Sequence, residues 1–180
     1  HFFVAEFRGT PARSPIHAFT LKPNGASFEL DHTQIVARGL LPTGMDFGPD
    51  GALYFSDWID GWGPKNKGRI WKLDTPDAQD SEIRKETKAL IQSDFKDKDL
   101  DELETLLAHQ DRRVRQKSQF ELVRRGDEGY HVFTDCINHN ESQMARIHAI
   151  WGISQFARKD IEYASVLVPL LKDADPEICA

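Results

Sequence analysis

The stretch Leu73-Asp74-Thr75-Pro76 divides the chain into two alphabets. Before it, short β-branched and aromatic runs alternate with Gly, Pro and Asn. After it, Ile83, Thr87, Leu90 and Ile91 recur at helical spacing in polar surroundings. Period-two runs bounded by turn residues form strands, whereas an apolar stripe of period 3.6 forms an amphipathic helix. The pattern therefore predicts a β part over residues 1–76, a linker and amphipathic helix over 77–98, and a helical part over 99–180.

The plainest local signal in the β part is "GMDFGPDGALYFSDW", residues 44–58. Pro49 presets φ for the first corner, Asp50 can hydrogen-bond its own turn, and Gly51 takes the positive φ that closes a short loop. Met45-Asp46-Phe47 enters this hairpin and the run from Ala52 to Trp58 leaves it.

A longer repeat surrounds the hairpin. "HFFVAEF" and "ALYFSDW" both end in an acid and an aromatic, Glu6-Phe7 and Asp57-Trp58. Each is followed by a loop rich in Gly, Pro and basic residues, and then by a further strand, "IHAFTLK" or "GRIWKLD". In the first copy "ASFEL" and "TQIVA" supply an outer strand after an Asn24-Gly25 turn. A strand–loop–strand unit recurring after about fifty residues matches the blade period of a β-propeller. A meander of a small all-β domain would give the same alternation.

The helical part has a repeat of its own. "LETLLAHQDRRVRQKSQFELVRRG" places Leu103, Leu106 and Leu107 inward, turns at Gln110-Asp111, and sets Val114, Ser118 and Leu122 on one face before Gly126 at a C-cap position. "LVPLLKDADPEICA" repeats that beginning, with Leu171, Asp175 and Ile178 matching Leu107, Asp111 and Val114; Asp175 is placed as an N-cap and Pro176 at N1. Between them Arg146, Ala149, Trp151 and Ile153 echo Arg115, Ser118, Phe120 and Leu122. Helix pairs at about thirty-two residues predict a HEAT-like α-solenoid, truncated in its third unit. The expected fold class is thus an α+β multidomain fragment: antiparallel β-propeller blades followed by a HEAT-like α-solenoid, cut at both ends.

Composition narrows the function classes. Residues 1–76 carry eight Lys+Arg and eight Asp+Glu, while 77–180 carry fifteen against twenty-one, giving the net charge of −6. An acidic helical half argues against a nucleic-acid backbone as main partner. Cys136 and Cys179 stand far apart, outside any CxxC or CxxCH pattern, and are expected as structural thiols. No apolar run reaches the ~18 residues of a membrane helix. "DKDLDE" begins like a calcium loop, but Glu102 stands where that loop needs Gly and Ala108 where it needs a bidentate Glu, so a helix N-terminus is expected. No two histidines have the i, i+4 spacing with an acid that marks a helical zinc site, and no catalytic base is assigned.

The runs "FVAEFRGTPARSPIHAFTLKPNGASFEL" and "LPTGMDFGPDGALYFSDWIDGWGPKNKGRIWKL" resemble the last blades of bacterial membrane-bound dehydrogenase chains. Those chains join a propeller similar to soluble quinoprotein glucose and sorbosone dehydrogenases to HEAT repeats and a C-terminal cytochrome c module. "RRVRQKSQFELVRRG" and "ARIHAIWGISQFAR" resemble their HEAT segment. The resemblance spans nearly the whole chain. It implies the C-terminal portion of an extracytoplasmic, periplasmic oxidoreductase of sugars or alcohols, with PQQ and calcium in the complete chain and haem c in a module beyond this stretch. The HEAT part would brace that redox module or a protein partner such as a cytochrome.

In such a propeller the ligand-side loops would hold Arg8, Arg13, Asp57, Trp58, Asp60, Trp62, Lys65 and Lys67. A quinone with three carboxylates calls for cations and a flat ring, which makes Arg8, Arg13 and Lys67 the cation candidates and Trp62 the stacking candidate. The plain alternative has Trp58 packing between blades, Asp57 accepting backbone N–H bonds, and the lysines solvated. At the level of the chain, the alternative function is a non-catalytic interaction scaffold.

Overall fold

A computed structural model describes residues 1–24, 27–59 and 66–179. The chain divides into two compact units, His1–Lys85 and Glu86–Ala180.

The first unit contains two antiparallel meanders. Strands β1 (Phe2–Ala5), β2 (Ile16–Asn24) and β3 (Ser27–Ala37) pair in that order, as do β4 (Pro42–Phe47), β5 (Leu53–Asp57) and β6 (Arg69–Leu73). Alternation places the core: Ile16 and Ala18 of β2, and Leu53 and Phe55 of β5, point inward, with Leu40 beside them. The sheets meet through rings, Phe3 lying edge-on to Phe47 at 5.3 Å between centroids and Phe7 against Trp58 at 6.1 Å.

The β4–β5 turn has the chemistry its residues dictate. Gly51 has φ +75°, the Gly48 N–H donates to Ala52 O at 2.9 Å, and the Ala52 N–H donates to Asp50 Oδ1 at 3.2 Å. Lys72 reaches Asp50 at 2.8 Å and the Tyr54 hydroxyl donates to it at 2.9 Å. The Lys72 ammonium, helped by Tyr54 and the Ala52 N–H, holds the Asp50 carboxyl down at about 2. Arg84 ties the turn to the chain's exit from β6, donating to Gly51 O at 2.9 Å and to Asp74 Oδ1 at 2.7 Å.

Helix α1 (Glu82–Gln92) begins in the first unit and ends in the second. The second unit continues with α2 (Leu100–Leu106), α3 (Arg112–Arg124), α4 (Asp127–His139), α5 (Gln143–Ala157), a 3-10 stretch (Ile161–Lys172) and α6 (Pro176–Cys179). Side-chain caps mark the starts. Asp99 and Glu102 form a reciprocal capping box on α2, Asp111 accepts from the Arg113 N–H at 2.8 Å on α3, and Ser142 accepts from the Ala145 N–H at 3.3 Å on α5. Leu103, Leu107, Val114, Leu122, Phe133, Ile137 and Ile153 form the centre of one core, and α5 packs on α3, α4 and the 3-10 stretch. No described helix is long and apolar enough to cross a membrane.

The expectation of β-propeller blades followed by a HEAT-like α-solenoid is corrected. The described residues form an α+β fold with two three-stranded antiparallel sheets, whereas a propeller repeats four-stranded blades, typically four to eight of them, around an axis. Each run of strands stops at three: Gly39, at φ +79°, follows β3 before the chain enters the other sheet, and Pro76 opens a 3-10 turn after β6. The helical half also departs from a stack of equal pairs. The expected first helix of the third pair is 3-10 and contains Pro169, which lacks the N–H an α-helix interior needs. Leu171, matched in sequence to the fully buried Leu107, is 70% exposed, and Leu170 is buried in its stead. His131 and His139 belong to α4. The predicted Asn24-Gly25 turn falls partly outside the described residues.

Candidate functional site

Arg8 sits just after β1, where its N–H donates to Ser14 Oγ at 2.9 Å and the Ser14 hydroxyl donates to Thr10 O at 2.8 Å. Its Nε donates to Glu6 Oε1 at 2.6 Å, and His17 Nε2 meets the other oxygen of Glu6 at 3.1 Å. These two partners, His17 before Arg8, hold the Glu6 carboxyl below the usual range. Arg8 is therefore already engaged by a carboxylate of its own sheet. Arg13 ends the 3-10 turn Pro11–Arg13 and is exposed. Trp62, Asp60 and Lys65 lie outside the described residues.

Lys67 lines a shallow cavity of about 310 Å³ with Thr43, Ser56, Asp57, Trp58 and Arg69. Asp57, only 6% exposed, accepts from the Leu41 N–H at 2.8 Å and from Trp71 Nε1 at 2.9 Å, with Arg69 at 3.7 Å. This carboxylate is committed to holding β5 to the segment before β4 and to β6. Trp58 packs on Phe7 rather than between blades. Of the residues assigned to PQQ, Arg8 is paired with Glu6, Arg13 is exposed and Lys67 lines the cavity beside Asp57. Among the described residues no group of three or more His, Cys, Asp or Glu side chains could hold a metal ion.

A different constellation occupies the α3–α5 seam. Arg115 donates from Nε to His148 Nε2 at 3.1 Å, and from Nη1 to His109 O at 2.7 Å and Gln110 O at 2.9 Å. His148 is 3% exposed, and its Nδ1 lies 2.7 Å from Gln119 Oε1. Burial, followed by the charges of Arg115 and Arg112, pushes the His148 imidazole down to about 4. Burial also lowers Arg115 from the ordinary guanidinium range. The Trp151 ring stands edge-on to the imidazole at 4.9 Å, yet the residue is 53% exposed. Phe120, next along α3 from Gln119, is 51% exposed.

This arrangement offers a flat ring on a rigid support, a second exposed ring and arginine N–H groups. It holds no nucleophile with an activating base. Cys136, the fully buried thiol of the unit, is pushed up to about 12, chiefly by burial and then by Glu104 and Asp135. The sequence had aligned Phe120 with Trp151 and Arg115 with Arg146 as repeat equivalents, but as packing positions. The signal was their phase: Phe120 and Trp151 each stand two residues from a buried Leu122 or Ile153, off the core-facing stripe. No protein-family model, curated protein or solved structure was found to match the chain.

Proposed function

We propose that this chain is a non-catalytic protein-interaction module whose helical unit binds a partner segment on the α3–α5 face. One observation carries the reading: Trp151 and Phe120, at equivalent positions of two helices, are both more than half exposed, and Trp151 is braced edge-on by the buried His148. A large exposed aromatic has ample apolar area to lose on binding, and bracing it lowers the entropy that binding must overcome. Met144, one face with Trp151 two turns before it, adds exposed apolar surface. The oxidoreductase reading takes second place, since its cofactor loops were assigned to propeller blades that the fold does not form.

The test is selection of a random twelve-residue peptide library on the full chain, with each selected peptide re-measured against Trp151→Ala and Phe120→Ala variants of unchanged helicity. A pool whose affinity falls about tenfold or more in both variants supports the reading, since hot-spot aromatics cost on this scale when truncated. A pool indifferent to both variants, or no pool, overturns it.

A further inference from the structure

Helix α3 carries five cations and one carboxylate in a chain whose net charge is −6. Where those cations go decides what the face can bind. Arg124 pairs with Glu121, Arg113 is bidentate on Asp111 at 3.1 and 2.8 Å, and Lys117 donates to Ile91 O at 2.9 Å and Ser93 O at 2.8 Å. Arg115 satisfies itself on two carbonyls and the neutral His148, with no carboxylate in ion-pair reach among the described residues. Arg112 is exposed at the first turn of α3 and has no ion-pair partner among the described residues. The carboxylate next to it in sequence, Asp111, already gives both oxygens to Arg113.

The uncompensated charge is therefore concentrated at the N-terminal half of α3, where the helix dipole adds to it. It lies beside the aromatic surface: a single imidazole separates the Arg115 guanidinium from the Trp151 ring. Its field reaches the seam, since Arg115 and Arg112 both disfavour a proton on His148.

Resting on the interaction-module reading, we infer that the α3–α5 face takes an acidic peptide segment, with side-chain carboxylates at Arg112 and Arg115 and an apolar side chain against Trp151 and Phe120. The unpaired arginines supply the charge complementarity and the rings supply the desolvated anchor. A polyanion such as nucleic acid fits less well, because it brings no aliphatic anchor and meets a unit that is acidic elsewhere. Arg112 and Phe120 are eight residues apart, about 12 Å along the helix at ~1.5 Å per residue. An extended peptide rises ~3.3 Å per residue, so about three or four residues should separate its carboxylate from its apolar anchor.

The experiment uses the pool whose binding to the full chain depends on Trp151 and Phe120. Its members are sequenced, and representative labelled peptides are measured with Glu and Asp replaced by Gln and Asn, against native chain, Arg112→Gln and Arg112→Glu. Expected are enrichment of Asp and Glu three or four positions from a Leu, Phe or Trp, roughly tenfold weaker binding of the amide peptides, and loss of that preference in both Arg112 variants. Affinity should also fall as salt rises. A pool that depends on the two aromatics but has the charge of the starting library, or amide peptides binding as well as acidic ones, overturns the inference while leaving the interaction module standing. Lack of any aromatic-dependent pool removes both.

Discussion

His148 Nδ1 on α5 donates its hydrogen to Gln119 Oε1 on α3 across 2.7 Å, a direction set by the other side of the ring. Arginine has no acceptor, so Arg115 Nε must donate to His148 Nε2, and the imidazole is neutral with its hydrogen on Nδ1. A proton added at Nε2 would break the Arg115 bond and place two cations together in a buried seam.

This arrangement has a signed pH consequence. Unfolded histidine takes its proton near 6.5, whereas His148 in the folded chain resists protonation until about 4. The unfolded state thus binds the extra proton between those values, so the stability contributed by His148 is complete above about 6.5 and is lost as pH falls towards 4. The loss can reach about 3 kcal/mol. Urea unfolding of the helical signal between pH 7.5 and 4.5 should show a falling midpoint, and His148→Gln should start lower and fall less steeply. An unchanged slope in that variant would remove His148 as the cause.

Asp57 and Glu6 occupy matching places in the sequence repeat but should respond differently to substitution. Asp57 is buried and satisfies the Leu41 N–H and the Trp71 indole, so Asp57→Ala leaves two donors without an acceptor and should cost about 2–4 kcal/mol. Glu6 is partly exposed and pairs with Arg8 and His17 near solvent, so Glu6→Gln should change stability far less than Asp57→Ala does. Unfolding followed by tryptophan fluorescence checks both. Equal effects would mean that Asp57 is not the anchor of its sheet.

The local features were legible because short-range chemistry sets them. The turn at Pro49-Asp50-Gly51, the helix start at Asp99-Glu102 and the cap at Asp175 each follow from residue types within a few positions. The propeller expectation went wrong one level up. A repeat of strand, loop and strand fixes a meander, while the number of strands in a sheet depends on where the chain goes next. The start of α4 was missed because Gly126 looks like a terminator; at φ +66° it ends α3 and lets α4 begin at once. The leucine pattern of 161–172 hid the 3-10 geometry, and a one-residue change of phase buried Leu170 where Leu171 was expected. The seam of Arg115, Gln119 and His148 joins residues about thirty positions apart, a pairing no local pattern contains.

Arg84 should matter for the hairpin more than its place near the start of a polar helix implies. One guanidinium bridges Gly51 O and Asp74 Oδ1, a fork that lysine cannot reproduce. Arg84→Lys should cost about 1–2 kcal/mol and raise hydrogen exchange at the Gly51 and Ala52 amides. Unaltered exchange at that turn would count against the bridge.

Gly152 and Gly129 offer the sharpest test of the helical core. Alanine in place of a helical glycine ordinarily stabilises by up to about 1 kcal/mol. At Gly152 the new Cβ would overlap the ring of Phe133, which is fully buried. At Gly129 it would overlap the backbone carbonyl of Leu122, at the close approach of α4 to α3. Both substitutions should therefore destabilise, Gly152→Ala by about 1–3 kcal/mol and Gly129→Ala by more, since a carbonyl of α3 cannot rotate away. The two obstacles separate in a double mutant. Phe133→Leu should recover part of the loss from Gly152→Ala, giving a coupling of about 1 kcal/mol or more, and should do nothing for Gly129→Ala. Chemical unfolding of the three single and two double variants measures this directly, and additive behaviour of Gly152→Ala with Phe133→Leu would show that α5 and α4 do not meet through that ring.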